Sequence, residues 1–253
     1  MEWKPKAPYP AVQNSARRLV NKTRRSPESN GTMRRVLSRD ASTALAELAE
    51  RPAVVTIDLH RGHLDPAVAT LPLPAEIAGA LVDRTVPLLD QYRALGIPIV
   101  HIVTSYRNRE EILSNRYWRF QASRPGSTRA AIAEHNLEGM PGLELMPGIH
   151  RVGDTVVDVK KRYDCFLGTD LDLVLRAGGH DALLLVGVNT NSCVIATAIQ
   201  ASVRDYAVFV VLDGVDTMLG PELHDAALAV VDASFGWVVD GPTTLDILGQ
   251  RSR

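Results

Sequence analysis

The chain has 253 residues, 45% of them hydrophobic, and a formal net charge of −1 at pH 7. This length is enough for one large domain with a buried core, and the near-neutral charge argues against a protein that binds nucleic acid over a broad surface. Only two cysteines occur, Cys165 and Cys193, so no disulfide framework is indicated and a reducing, cytoplasmic location is expected. No apolar run has the length of a membrane span, and none near the N-terminus is typical of a signal peptide, so we predict no membrane association.

Residues 1–40 form a basic arm that is rich in Pro, Ser and Asn and has weak periodicity. Its clustered basic residues are Arg17, Arg18, Lys22, Arg24, Arg25, Arg34 and Arg35. Such an arm can bind nucleic acid, or it can lie as a solvated extension on the body or on a neighbouring subunit. We favour the extension, because no aromatic residues that could stack on bases are interleaved with the charges. With a short helix predicted at 41–50, the arm makes up the first predicted segment, residues 1–50.

Residues 51–253 alternate between strands and helices and are predicted to form one domain. The predicted strands are 53–58, 98–104, 154–159, 183–187, 207–212 and 236–240, and the predicted helices are 76–95, 169–177, 194–205 and 221–233. The first strand is apolar nearly throughout, as expected for a strand covered on both faces. The alternation predicts an α/β fold, with a Rossmann-like open parallel sheet of about six strands and helices on both of its faces. A long segment, 105–153, separates the second strand from the third.

The stretch Leu183–Cys193 places a thiol where a buried strand gives way to a helix. The strand rises to Gly187, the chain turns through small polar residues, and Cys193 falls near the predicted helix start. A thiol there feels the positive end of the helix dipole, which favours the thiolate, and free backbone N–H groups can hold an oxyanion. The alternative is that Cys193 is only a small buried residue, as most free cysteines are. Cys165 is not near a helix start and is not a candidate nucleophile.

Three reactive side chains follow three predicted strands: Asp58 ends the first, Lys160 follows the third, and Cys193 follows the fourth. In open parallel sheets, ligands bind beyond the carboxyl ends of the strands, near the point where the strand order reverses. If the order is 3-2-1-4-5-6, Asp58 and Cys193 share one crevice. A carboxylate can take the proton of a thiol, and a lysine near both stabilises their negative charges. Taken singly, a strand-end aspartate commonly caps a turn, and a lysine after a strand is usually solvated.

The motifs around these three residues resemble the isochorismatase-like cysteine hydrolases, which include N-carbamoylsarcosine amidase, nicotinamidase, biuret hydrolase and ureidoacrylate hydrolase. They are the strand-end Asp58, the string Lys160-Lys-Arg-Tyr-Asp-Cys-Phe166 with Thr169-Asp-Leu-Asp172 after it, and Gly187-Val-Asn-Thr-Asn-Ser-Cys193. The resemblance covers roughly residues 53–240. It implies a Rossmann-like sheet and an Asp-Lys-Cys triad.

The resemblance also assigns individual positions. The family lysine stands three residues before the tyrosine, which selects Lys160 over Lys161. Family members have a cis peptide bond after the glycine, here Val188–Asn189. In the family, the N–H at the position of Asn189 forms an oxyanion hole together with the N–H at the position of Cys193.

Two departures from the family pattern concern the pocket. The usual Met-Gln-Asn-Asp-Phe after the aspartate is replaced by Leu59-His-Arg-Gly-His63, so His60 stands where a substrate-contacting glutamine is common. Nicotinamidases carry a metal cluster that includes a tryptophan-histidine pair after the second strand, and this chain has Thr104-Ser-Tyr-Arg107 there. His60 and His63 could recruit zinc at i, i+3 spacing, but two histidines alone are a weak signal. We therefore predict neither a metal nor a cofactor.

The segment after the second strand is rich in arginines and aromatic residues: Arg107, Arg109, Arg116, Tyr117, Trp118, Arg119, Phe120 and Arg124. We favour solvated arginines with aromatics that pack the segment down. The alternative is that one of these side chains reaches the pocket and grips a carboxylate or carbonyl of the substrate, a role for which guanidinium is well suited. The candidate substrate-binding residues are His60, Arg107, Tyr117, Trp118 and Tyr163.

The predicted function is hydrolysis of a linear C–N bond in a small polar amide or ureido substrate, through a thioester on Cys193. One alternative is a vinyl-ether hydrolase of the isochorismatase type, which Cys193 disfavours because true isochorismatases lack a cysteine at this position. The other is a non-catalytic binding or scaffold protein with the same fold. We expect a homodimer or homotetramer whose partner is a small molecule and not nucleic acid.

Overall fold

The computed structural model describes residues 37–251, so the predictions for the basic arm before residue 37 lie outside the described residues. The strands are β1 (Pro52–Ile57), β2 (Ile99–Thr104), β3 (Thr155–Lys160), β4 (Ala182–Val188), β5 (Ala207–Asp216) and β6 (Trp237–Val239). The helices are α1 (Ala41–Leu48), α2 (Arg61–Leu64), α3 (Ala75–Ala94), α4 (Arg109–Leu113), α5 (Arg116–Ala122), α6 (Leu171–Ala177), α7 (Ile195–Val203), α8 (Pro221–Ser234) and α9 (Gly241–Arg251). No helix in this range has both the length and the apolar character needed to cross a bilayer.

The six strands form one parallel sheet, which confirms the predicted fold class. The order is β3-β2-β1-β4-β5-β6, the order in which Asp58 and Cys193 share one crevice. The first strand is central, and its last residue, Ile57, pairs with Ile102 of β2 and Gly187 of β4. The carboxyl ends of β1, β2 and β4 therefore lie side by side. This edge of the sheet carries the predicted reactive residues.

Two hydrophobic cores lie on the two faces of the sheet, because the side chains of a strand alternate between its faces. On one face, Val54 and Leu184 pack among residues of α3, α9 and α1. Leu45 of α1 is fully buried there, so this helix, which the sequence analysis grouped with the arm, packs into the same core as the sheet. On the other face, Val55 and Leu185 pack among residues of α6, α7 and α8.

The observed elements differ from the prediction where the local pattern is short or interrupted. Helices α2, α4, α5 and α9 were not predicted. The first three have only four to seven residues, which are too few to show an amphipathic period. Strand β5 extends four residues past the predicted end at 212, through Asp213 and Gly214, where the apolar run breaks. Its pairing with β4 shifts register between Leu185 and Gly187.

At Gly187 the backbones of β4 and β1 come into close contact. Its φ is +120°, and a Cβ at this position would lie 2.0 Å from the carbonyl oxygen of Ile57. Only glycine fits a backbone approach of this kind. The residue directly after Ile57 is Asp58, so the chain leading to Cys193 and the chain leading to Asp58 touch through their main chains.

Candidate active site

A pocket opens at the carboxyl ends of the central strands, and Asp58, Lys160 and Cys193 all line it. Lys160, the last residue of β3, is 1% exposed. Its Nζ atom lies 2.6 Å from Oδ2 of Asp58, 2.6 Å from Oγ1 of Thr104 and 3.3 Å from Sγ of Cys193. Each of the three N–H groups of the ammonium therefore has an acceptor.

Of the two adjacent lysines, only Lys160 reaches this pocket. The ammonium of Lys161 donates instead to the backbone oxygen of Ser105 at 2.6 Å and lies 3.7 Å from a carboxylate oxygen of Glu111. The two side chains leave the end of β3 in different directions, as neighbours in a strand do. Lys161 has no contact with Cys193 that could stabilise a thiolate.

Asp58 is held by hydrogen bonds on both carboxylate oxygens. The Oδ1 atom accepts from the backbone N–H of Thr104 at 3.1 Å and from its hydroxyl at 2.8 Å, and Oδ2 accepts from Lys160. Complete burial would raise the pKa of Asp58, but the ammonium of Lys160 outweighs it and holds this pKa well below its usual range. Burial likewise disfavours the charged lysine, yet the Asp58 carboxylate keeps the pKa of Lys160 well above its ordinary value. The two residues form a charged, buried ion pair.

Cys193 lies in a π-helical turn, Thr190–Val194, and not at the first turn of an α-helix, since α7 begins at Ile195. The residue is 5% exposed, and burial raises the pKa of the thiol to about 12, although Lys160 acts to lower it. The prediction that this position favours the thiolate is therefore wrong for the free protein. The thiol is protonated near neutral pH and needs a base to react.

The turn that carries Cys193 is tied to the loop after β5. The peptide bond between Val188 and Asn189 is cis. The side-chain oxygen of Asn189 accepts a hydrogen bond from the backbone N–H of Met218 at 2.8 Å, and that of Asn191 lies 2.7 Å from the hydroxyl of Thr217. These bonds fix the turn against β5, on the side away from β1. Cys165 is fully buried in the core, and burial raises the pKa of its thiol as well.

Three buried histidines, His60, His63 and His135, bring potential ligand nitrogens within 4.8 Å of one another beside Asp58. The Nδ1 atom of His63 lies 2.8 Å from the backbone oxygen of Leu71, and that of His135 lies 2.8 Å from the hydroxyl of Thr70. Burial lowers the pKa of His63 to about 3 and holds that of His135 well below its ordinary value. Both rings are therefore neutral near pH 7.

The side chain of His60 contacts both Asn136 and Asp58. A side-chain atom of Asn136 lies 2.8 Å from the backbone oxygen of Thr104, so it must be the amide nitrogen, which donates. The same atom lies 2.9 Å from Nε2 and 3.4 Å from Nδ1 of His60, so it sits beside the ring and not on the axis of one nitrogen, and Nε2 also lies 3.5 Å from Oδ1 of Asp58. The three rings match in number the three protein ligands of catalytic zinc sites, so the residues present fit a divalent metal in ligand type and number.

The structure brings some of the predicted substrate-binding residues into the pocket and leaves others outside. Trp118 and Tyr163 line it, and the indole N–H of Trp118 donates to the hydroxyl of Tyr163 at 2.9 Å. Arg107 and Tyr117 do not. The Arg107 side chain is 70% exposed and pairs with Glu111, and Tyr117 is 56% exposed. The other predicted arginines are exposed on the surface as well: Arg109, Arg116, Arg119 and Arg124.

Sequence reasoning missed Thr104, Arg129, His135 and Asn136, which lie in or beside the pocket. Thr104 could have been found, because it ends β2 at the same edge of the sheet as Asp58. The other three belong to the irregular segment 105–153. They reach the pocket only through the tertiary path of that segment, and no periodic pattern marks them.

Comparison with known proteins identifies the family of this chain. The family model of the isochorismatase domain matches residues 52–243. A ureidoacrylate amidohydrolase, RutB, from Methylobacterium radiotolerans is 42% identical over 102 residues, which are 40% of this chain and 39% of that protein. The chain thus aligns with about two fifths of the length of this curated relative.

Solved structures match most of the chain. N-carbamoylsarcosine amidase from Thermoplasma acidophilum is 27% identical, with a TM-score of 0.57 over 76% of this chain and 96% of that one. A cysteine hydrolase from Pseudomonas syringae is 20% identical and has the same fold, with a TM-score of 0.66 over 81% of this chain and 98% of that one. Since the family model covers the whole sheet and both reactive strand ends, Asp58 and Cys193, the chain belongs to the isochorismatase family.

Proposed function

We propose that this protein is a cysteine-dependent amidohydrolase that cleaves a linear C–N bond of a small amide or ureido compound. The observation that carries the proposal is the ammonium of Lys160, which contacts both the Asp58 carboxylate and the Cys193 thiol inside a buried pocket. A carboxylate, an ammonium and a thiol in mutual contact supply a base, a charge partner and a nucleophile. The names of the relatives, a ureidoacrylate amidohydrolase and an N-carbamoylsarcosine amidase, support the same bond type.

The first half of the reaction forms a thioester. Asp58 accepts the proton of the Cys193 thiol as sulfur attacks the carbonyl carbon, and the carbonyl becomes a tetrahedral oxyanion. The backbone N–H groups of Asn189 and Cys193 are assigned to hold this oxyanion. The C–N bond then breaks, and the departing nitrogen takes the proton from Asp58 and leaves as ammonia or an amine.

The second half returns the enzyme to its starting state. Asp58, again a carboxylate, accepts a proton from water while the water oxygen attacks the thioester carbon. The C–S bond breaks, the acid product leaves, and Cys193 regains its proton from Asp58. Lys160 stays protonated throughout. Its charge offsets the negative charge that moves between Asp58, sulfur and the oxyanion.

An ammonia-release screen over a panel of amides and ureas tests the proposal. The wild-type protein should turn over at least one member, Cys193→Ser should abolish turnover, and Cys165→Ser should keep most of it. The serine change is nearly isosteric, but a serine hydroxyl is far harder to ionise than a thiol. Circular dichroism melting of both variants checks that the fold is intact. Equal losses in the two variants would remove Cys193 from the role of nucleophile.

Two further measurements separate the alternatives. An ether hydrolase of the isochorismatase type would release pyruvate from isochorismate, whereas the proposed enzyme would not. A protein that only binds its ligand would release ammonia from no member of the panel, although it could still bind some of them in calorimetry.

A further inference from the structure

Arg129 is a buried cation at the pocket that contains Cys193. It follows α5 in the irregular part of the 105–153 segment, and only 8% of its surface is exposed. It lines the same pocket as Asp58, Lys160 and Cys193. None of the five arginines that the sequence analysis considered reaches this position.

The guanidinium of Arg129 has no ion pair and no hydrogen bond to any residue between 37 and 251. It lies over the ring of Tyr163, whose centroid is 5.6 Å from Cζ. By contrast, the exposed side chain of Arg109 donates to Glu134 at 2.7 Å. Burial of a charge without a counter-ion is unfavourable, and proteins rarely retain one without a use for it.

The charges around the pocket also leave room for an anion. Three cations line it, Lys160, Arg129 and Arg162, against one carboxylate, Asp58, which Lys160 already neutralises. The histidines that line it, His63 and His135, are neutral because burial lowers their pKa values.

The second arginine of the pocket, Arg162, has its hydrogen-bond donors occupied by other residues of the chain. Its guanidinium donates to the backbone oxygens of Lys161 and Glu111 and to the hydroxyl of Ser114, and it lies over the ring of Trp118. Arg129 is therefore the pocket cation whose hydrogen-bond donors are uncommitted.

We infer that Arg129 binds a carboxylate of the substrate, and that the substrate is a short acid that carries an amide or ureido group. This inference rests on the proposed function and names its substrate class. A guanidinium presents two parallel N–H donors to a carboxylate. Arg129 and Cys193 line one pocket, so a substrate whose acid group binds Arg129 can present its carbonyl to the thiol within that pocket.

The test compares acids with uncharged compounds of similar shape. The pairs are 3-ureidopropionate with butylurea, ureidoacetate with propylurea, and maleamate with (Z)-2-pentenamide. We expect the wild-type protein to prefer the acid of at least one pair by about 100-fold in kcat/KM, the effect of a lost charge-assisted bidentate contact. Arg129→Gln should abolish that preference by raising KM for the acid, Arg129→Lys should keep part of it, and Arg124→Gln, a change at an exposed arginine, should leave it intact. The inference is overturned if the wild type shows no preference in any pair, or if Arg129→Gln lowers both members of a pair equally.

Two readouts keep this test separate from that of the proposed function. Calorimetric binding of the same pairs to Cys193→Ser needs no turnover, so a preference for the acid there supports the Arg129 site even if no compound is hydrolysed. Equal binding of both members in every pair would contradict the site. The melting temperature of Arg129→Gln should be unchanged or higher, because an unpaired buried charge has been removed. A clear decrease relative to Arg124→Gln would assign Arg129 a structural role and overturn the inference.

Discussion

Thr104 donates two hydrogen bonds to one oxygen of Asp58, from its backbone N–H at 3.1 Å and from its hydroxyl at 2.8 Å. The same hydroxyl accepts a hydrogen bond from Lys160 at 2.6 Å. One side chain thus orients both members of the ion pair and leaves the other oxygen of Asp58 to Lys160. Thr104 is a positioning residue for the proposed base.

Replacement of this hydroxyl should weaken the base without removing it. Thr104→Val keeps the shape and the backbone bond, so we expect kcat to fall about 10- to 100-fold, the usual effect of one hydrogen bond to a charged group. The acid limb of the pH–rate profile should also move to higher pH, because loss of a hydrogen bond to the carboxylate raises the pKa of Asp58. Thr104→Ser, which keeps a hydroxyl, should have nearly the wild-type kcat and the wild-type acid limb. A Thr104→Val enzyme with the wild-type rate and pH limb would show that the hydroxyl is dispensable.

Replacement of Lys160 should affect the rate and the stability much more than replacement of Lys161. Lys160→Met leaves the Asp58 carboxylate buried without its partner, so we expect kcat to fall by at least about 100-fold and the free energy of unfolding to fall by about 3–5 kcal/mol. Lys161→Met should change either quantity little. Rates and urea denaturation of both variants measure this. Adding Asp58→Asn to Lys160→Met should recover stability but not activity, and a severe loss at Lys161 with a tolerant Lys160 would overturn the assignment.

The reactivity of Cys193 should increase steadily with pH. Because burial raises its pKa to about 12, the alkylation rate with iodoacetamide should be low at pH 7 and rise about tenfold per unit up to pH 10. The rate is followed by mass spectrometry of the intact protein, with Cys193→Ser as the background for Cys165. A rate that levels off below pH 8 would mean that the free protein already holds a thiolate.

Neutral buried histidines should make the fold sensitive to acid. The pKa of His63 is about 3 in the folded protein and near 6.5 when unfolded, so the unfolded chain binds more protons between these values. The contribution of this ring to the free energy of unfolding is therefore fully present above pH 6.5. As the pH falls below 6.5, the free energy of unfolding decreases by about 1.4 kcal/mol per pH unit because of this ring. Urea denaturation between pH 7 and 5 should show a shallower decline for His63→Gln than for the wild type or for His150→Gln, an exposed control. Identical slopes in all three proteins would rule out a neutral His63.

Chelators should leave the activity unchanged. The proposed reaction takes its base from Asp58, its charge partner from Lys160 and its nucleophile from Cys193, and it needs no metal at the histidine cluster. Elemental analysis of the purified protein, together with rates before and after treatment with 1,10-phenanthroline, checks this. Stoichiometric zinc whose removal abolishes turnover would contradict it.

The sheet and the three strand-end residues could be predicted because their causes are local or topological. Buried parallel strands are apolar throughout, and the strand order brings the ends of β1 and β4 together whatever the loops do. Asp58 and Cys193 therefore follow from the pattern of the chain alone. The assignment of Lys160 over Lys161 needed the family resemblance, because both lysines follow the same strand.

The remaining features of the pocket depend on tertiary structure. Arg129 and Arg107 are both arginines of one irregular segment, and only the folded path shows that the first is buried in the pocket and the second pairs with Glu111 on the surface. The ionisation of Cys193 also depends on the tertiary structure. A helix start argues for a thiolate from sequence, but burial, which sequence does not show, has the larger effect on the pKa.

The contact between Gly187 and Ile57 has a consequence for protein engineering. The spacing between the thiol-bearing turn and the base-bearing turn is set there by main-chain atoms, with no side chain between them. Core residues on either face of the sheet can therefore be redesigned for thermal tolerance with little displacement of the reacting atoms. Gly187 itself cannot be changed, since even a methyl group would push the two strand ends apart and disrupt the geometry of the site.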